Sequence, residues 1–201
     1  MQINAIDFCF RQGVTGKLKL YRLLLVVMSC TLAIAGCQSA GIGSATPGID
    51  RAHTIRLADA NEPGQRLTLF GRVVDTENNE PIPDALVYLY HADANGEYLP
   101  TDPNDESTAK LSGEIITDDK GQFQVETIVP REYDQPGNKH IHLHYVRAEG
   151  YTETGGVILF EYDVNDEIRA WALDTGFGII IDVTERNGVM EGQVVIELIP
   201  E

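Results

Sequence analysis

The chain has 201 residues, 43% hydrophobic and 7% aromatic, with a formal net charge of -16. That length fits one domain with an appendage, and the apolar share is enough for a core. The surplus of carboxylates excludes a nucleic-acid partner held by charge, because such a surface repels phosphate. The acidity is unevenly placed: the first 36 residues carry four basic residues and one acidic residue, leaving 11 basic against 30 acidic beyond them, about -19.

Near the start, Lys17, Lys19 and Arg22 precede an apolar run from Leu23 to Ala35. The run is short for a bilayer span and fits the apolar part of a signal peptide behind a basic flank. Its end, Leu32-Ala33-Ile34-Ala35-Gly36-Cys37, resembles the bacterial lipoprotein signal. The resemblance implies removal of residues 1–36, acylation of Cys37, and a lipid-anchored protein of the cell envelope, in the outer membrane or facing the periplasm. Several acyl chains hold a protein stably, since each buried methylene contributes about 0.8 kcal/mol. An ordinary secretory signal that happens to contain a cysteine is the alternative.

Cys9, Cys30 and Cys37 are the only cysteines. No pair is left to staple the folded region, and no thiolate is available there for catalysis. From residue 37 to about residue 60 the chain is rich in Gly, Ser, Ala and Pro without apolar periodicity, which predicts a flexible tether with His53 inside it. A folded domain is expected over 61–201.

In that domain, Leu67 to Asp75 and Ala85 to Tyr90 read as two strands joined by the turn residues Glu77 to Pro81, a meander pair. Asp93-Ala94-Asn95-Gly96-Glu97-Tyr98 is a turn that opens a polar loop to about Ser112. Glu114 to Thr117 and Gln122 to Ile128 flank Asp118-Asp119-Lys120-Gly121, a hairpin signal. Further strands are expected at Val157 to Phe160, Gly178 to Val183 and Gln193 to Leu198, with one short helix near Asp166 to Leu173. Many short strands with frequent turns predict an all-β fold, an antiparallel β-sandwich.

Between these lies Lys139-His140-Ile141-His142-Leu143-His144-Tyr145-Val146. Period-two alternation puts His140, His142 and His144 on one face of a strand, and Ile141, Leu143 and Tyr145 on the other. Tyr98 and Tyr133 stand upstream at turn-like places. Two phenolates and two imidazoles suit a hard trivalent iron, whereas tyrosine is an unusual ligand for zinc or copper. His144 lies one pleat beyond His142 and reads as solvent-facing or supporting.

The order of these pieces resembles the intradiol ring-cleavage dioxygenases, the catechol and protocatechuate dioxygenase family. The resemblance runs from about Pro63 to Phe160 and rests on Gly71-Arg72-Val73-Val74-Asp75, Ala85 through Tyr98, Thr117 through Phe123, Thr127-Ile128-Val129-Pro130 with Tyr133, and His140-Ile141-His142. It implies a β-sandwich holding Fe(3+) on Tyr98, Tyr133, His140 and His142, with a catechol-type aromatic and O2 as substrates. It also implies that the tyrosinate at Tyr133 leaves the iron when the catechol binds as a dianion, taking up a proton. Two family features are absent: an arginine three residues before the first histidine, where Gly137 stands, and a glutamine near Val157. His91 stands where the family often has glutamine. A second reading is a non-catalytic module, since Gly71 to Asp75, Pro83-Asp84-Ala85 and Thr117 to Phe123 also resemble carboxypeptidase-regulatory and transthyretin-like sandwiches. Such a module has no need of the four donors together.

Overall fold

Alternation of apolar and polar residues shapes the strands directly. In the computed structural model, which describes residues 53–132 and 139–201, the elements in chain order are β1 (Thr54–Arg56), β2 (Arg66–Asp75), β3 (Leu86–His91), a 3-10 turn (Glu106–Thr108), β4 (Leu111–Ile116), β5 (Gln122–Ile128), β6 (His140–Arg147), β7 (Thr154–Phe160), α1 (Asp166–Thr175), β8 (Gly178–Ile181), β9 (Val183–Arg186) and β10 (Val189–Leu198). They form two five-stranded sheets, ordered β1-β5-β2-β10-β9 and β4-β3-β6-β7-β8. The inner faces meet in one core. Leu67, Leu69 and Val73 of β2, Phe123 and Val125 of β5, and Val194, Ile196 and Leu198 of β10 face Val87 and Leu89 of β3, Ile141, Leu143 and Val146 of β6, and Ile158 and Phe160 of β7. Each such side chain, fully buried, contributes about 1.5–3 kcal/mol relative to exposure, so the sandwich stands without a disulfide.

The expected β-sandwich is present, with mixed rather than purely antiparallel sheets. β1 pairs with β5, β10 with β2, and β7 with β8 in parallel. The predicted meander pair is split: β2 lies in one sheet and β3 in the other. The predicted hairpin is also split. Its turn is tight, with Asp118 Oδ1 accepting from the backbone N–H groups of Lys120 and Gln122 at 2.9 and 2.7 Å, but β4 joins β3 while β5 joins β2. Gly121 makes this crossing possible. Its φ is +68°, and a Cβ there would stand 2.5 Å from the carbonyl oxygen of Val73. The stretch Gly178 to Val183, expected as one strand, breaks at Asp182 into β8 and β9 on different sheets.

Folded structure also begins before the boundary near residue 60. β1 covers Thr54–Arg56 along β5, and the His53 imidazole Nδ1 lies 3.0 Å from the carbonyl oxygen of Ile116. A parallel three-residue edge strand has no alternation long enough to read from sequence. The signal segment 1–36, Cys37 and the tether up to residue 52 lie outside the described residues, as do Tyr133 and Gly137.

The outer face of the second sheet is partly covered. Parallel strands need a crossover, and α1 provides it between β7 and β8. Its start is capped by Asn165, whose side-chain oxygen accepts from the N–H of Ile168, and its end by Gly176 at φ +67°. Ile168, Trp171 and Ala172 pack on Val157 and Leu159 of β7. Gly178 permits this close approach, since a Cβ there would lie 2.7 Å from Cβ of Ala172. On the opposite flank the loop after β3 returns to β4, closed at its base by the N–H of Lys110 donating to the carbonyl of Tyr98 at 2.9 Å.

Candidate metal centre

Strand β6 is central in its sheet, bonded to β3 on one side and β7 on the other. Cross-strand partners share a face, so His142 sits in a row between Tyr90 of β3 and Val157 of β7, and His140 lies opposite Leu159. The alternation expected of the histidine strand holds up to Leu143. A β-bulge then sets His144 and Tyr145 together against Tyr88, so Tyr145 turns to the outer face and Val146 takes the inner place. The predicted grouping of Tyr145 with Ile141 and Leu143 is thereby corrected.

Tyr98 reaches the histidines through turn chemistry. Asp93 Oδ1 accepts from the N–H groups of Asn95 and Glu97 at 2.8 and 3.0 Å, and the Asp93 N–H donates to the Glu97 carbonyl at 2.9 Å. This closed turn delivers Tyr98, 9% exposed, over the outer face beside Ala92, Ala109 and Tyr90. Its hydroxyl lies 3.0 Å from His142 Nε2. His142 Nε2 in turn lies 3.0 Å from His140 Nε2. Three of the four predicted donors therefore converge by their ligating atoms. The fourth, Tyr133, lies outside the described residues.

The surroundings keep these donors in a usable form. Burial, reinforced by the neighbouring His140, holds the His142 imidazole well below the usual histidine pKa, so it is neutral and retains a lone pair. The Tyr90 ring stacks parallel on the His142 imidazole, centroids 4.3 Å apart at 5°. His140 is held through its neighbour: Asp163 accepts from the Lys139 backbone N–H at 2.9 Å and from its ammonium at 3.0 Å, and Glu132 lies 3.4 Å from the same ammonium. Burial opposes that charge, yet Asp163 and Glu132 together hold the Lys139 pKa above the ordinary lysine value. Lys139 is engaged by carboxylates and is no substitute for an arginine aimed at substrate.

The donor set fits a metal. A phenol oxygen and two imidazole nitrogens are ligands for a hard trivalent ion. Donors ~2.1 Å from one ion and at right angles to each other stand ~3.0 Å apart, which matches both observed contacts.

His91, buried completely, lies on the inner face. Its Nδ1 is 2.8 Å from the Ala92 carbonyl and its Nε2 2.7 Å from the Thr127 hydroxyl on β5, so it ties the two sheets together behind the site. Burial pushes its pKa down to about 4. Sequence reasoning missed Tyr90 and Asp163 as supports. Tyr88 and Tyr90 share a face of β3 by period two, which is a visible signal; Asp163, 24 residues from Lys139, gives none.

Comparison with known proteins gives consistent relatives. A family model described as "Dioxygenase" matches residues 44–153, more than half of the chain. A catechol 1,2-dioxygenase of Acinetobacter baylyi is 32% identical over 153 residues, covering 66% of this chain and 48% of that protein. The chain spans about half the length of the curated relatives it matches. Among solved structures, 3-chlorocatechol 1,2-dioxygenase from Rhodococcus opacus superposes with a TM-score of 0.56 at 24% identity, over 76% of this chain and 67% of that one. An intradiol ring-cleavage dioxygenase from Tetranychus urticae gives 0.58 at 22% identity, over 72% and 85%. These structures share the sandwich fold.

Proposed function

The chain belongs to the intradiol ring-cleavage dioxygenase family, and from that premise we propose that it binds Fe(3+) through Tyr98, Tyr133, His140 and His142 and cleaves a catechol-type aromatic with O2. The observation that supports this most is the run of 3.0 Å contacts from the Tyr98 hydroxyl to His142 Nε2 and on to His140 Nε2. Ferric iron supplies Lewis acidity that favours the catecholate dianion, and a redox partner for the aromatic ring. The residues do the rest. Tyr98, anchored by the Asp93 turn, would be a permanent anionic donor, since a bound cation stabilises a phenolate whose usual pKa is about 10. His140 and His142 would serve as imidazole donors, the His142 ring plane set by the Tyr90 stack and the backbone entering His140 fixed by the Lys139 N–H donating to Asp163. Tyr133, by the family resemblance, would be the donor that yields its place to substrate and takes up one catechol proton.

The ring would be cut between its two hydroxyl-bearing carbons, one atom of O2 joining each of them, so that each new carboxyl group carries one oxygen from O2 and one from a former hydroxyl. The wall beside His142 is aliphatic, since Val157 and Leu159 pack under α1. The protein acts at the cell envelope, lipid-anchored through Cys37. The test is oxygen uptake by the iron-loaded full chain with catechol. One O2 consumed per catechol, with a rate reduced at least ~100-fold in His142→Ala, is expected of a ligand loss. An iron-loaded protein that consumes no O2 with any catechol contradicts the proposal.

A further inference from the structure

The donor cluster is one end of a longer row of rings. Tyr90, stacked on His142, also meets the edge of His144 at 6.0 Å. His144 meets Tyr88 at 5.4 Å and 65°, and Tyr88 lies 5.4 Å from Tyr145. The bulge in β6 creates the far end of this row, because only there do two consecutive side chains, His144 and Tyr145, stand on the outer face together. Without the bulge Tyr145 would point into the core and the row would stop at His144. His144 is exposed and Tyr88 and Tyr145 are half-buried, so ring surface remains open to solvent beside the donors.

The row is also held in place. Tyr88 donates its hydroxyl to the Ser107 carbonyl at 2.9 Å, which fixes its ring to the loop that carries Tyr98. Tyr145 donates to Glu114, and the Arg147 guanidinium sits 4.4 Å from the Tyr145 ring centroid. Rings fixed before a ligand arrives lose little freedom on binding, which raises the affinity gained per contact. From His142 to His144 the step along the strand is ~6.6 Å, a distance that a second ring bonded directly to a catechol can span.

We infer that this aromatic row is a subsite for a second ring, and that the protein takes catechols carrying a further aromatic group. The inference rests on the proposed catechol activity and narrows it. Its basis is continuity: the row begins at the ring stacked on a metal-binding histidine and leads outward over an exposed surface. The occupant is aromatic because the surface offers ring faces and edges with one guanidinium. Stacked and edge-to-face ring pairs contribute beyond the area they bury.

The experiment is calorimetric titration of the iron-loaded full chain, kept free of O2, with catechol and with 4-phenylcatechol. Phenylcatechol is expected to bind about 2- to 12-fold more tightly, since one aromatic pair contributes about 0.5–1.5 kcal/mol. The preference is expected to fall toward one in His144→Ala, an exposed position whose loss leaves the core untouched, and in Tyr88→Leu, and to persist in Tyr88→Phe, which keeps the ring. Equal affinities for the two ligands, or a preference unchanged in both His144→Ala and Tyr88→Leu, overturn the subsite while leaving the catechol reading intact. Failure to bind either ligand overturns both.

Discussion

The two sheets share one core and differ on their outer faces. On the first, β2 and β10 put Arg66, Thr68, Arg72, Gln193, Val195 and Glu197 outward, and Arg66 and Thr68 line a cavity of about 360 Å³ with Arg56 and Glu126 that contains neither histidine nor tyrosine. On the second, α1 covers Val157 and Leu159, while the Tyr98 loop covers a floor of rings where polar atoms stand 3.0 Å apart. Both inner faces are ordinary sandwich packing. The lesson is that this fold separates its stability from its chemistry by faces of single strands: in β6, Ile141, Leu143 and Val146 hold the core while His140 and His142 hold the donors.

Breaking the inner faces should therefore cost most stability. Phe123 is fully buried, with its ring over Gly71, where a Cβ would stand 2.0 Å from Phe123 Cζ. Phe123→Ala is expected to lower unfolding free energy by about 3–5 kcal/mol, since the ring fills space nothing else can occupy. Denaturant titration measures this, and a loss near zero would show that the core can collapse around the gap.

His91 sharpens the comparison, because it is a polar group on the inner side. In the unfolded chain it takes a proton as pH falls through about 6.5, whereas in the fold burial delays this to about 4. The native state is thus disfavoured progressively between those values, by about 3 kcal/mol in total, and no further below about 4. His91→Gln should flatten this acid limb while preserving a side chain able to meet Thr127. Thermal melts at several pH values between 4 and 7 check it, and an unaltered slope would place the acid sensitivity elsewhere.

The smallest effect is expected at the boundary between apolar wall and site. Val157→Gln puts the family's glutamine among Leu159, Trp171 and Ala172 beneath α1. An amide buried there without a partner costs about 1–3 kcal/mol. Stability equal to the parent would mean that the amide reaches a polar group at the donors.

Much of this was legible in the residues and some was not. The alternation in Leu67 to Asp75, Gln122 to Ile128 and the histidine segment named strands that the structure contains, and the family motifs brought Tyr98, His140 and His142 to one place. Sheet membership was not legible. A two-strand turn such as Asp118 to Gly121 has the same local chemistry whether its strands pair or part, and only packing against β3 and β2 decides. The bulge at His144 and Tyr145 was equally hidden, since one inserted residue changes which face a side chain takes without changing composition. β1 is too short for a pattern, and its partner lies 70 residues away in sequence, as the Arg56–Glu126 ion pair records.

The account turns on the donors holding ferric iron. The most direct measurement is the visible absorption spectrum of the iron-loaded full chain together with its iron content. One iron per chain and a broad tyrosinate-to-iron charge-transfer band are predicted, the band weakened in Tyr98→Phe and in Tyr133→Phe and abolished when both are changed. A colourless protein that stays folded and retains no iron, in the parent as in His140→Ala and His142→Ala, would contradict it.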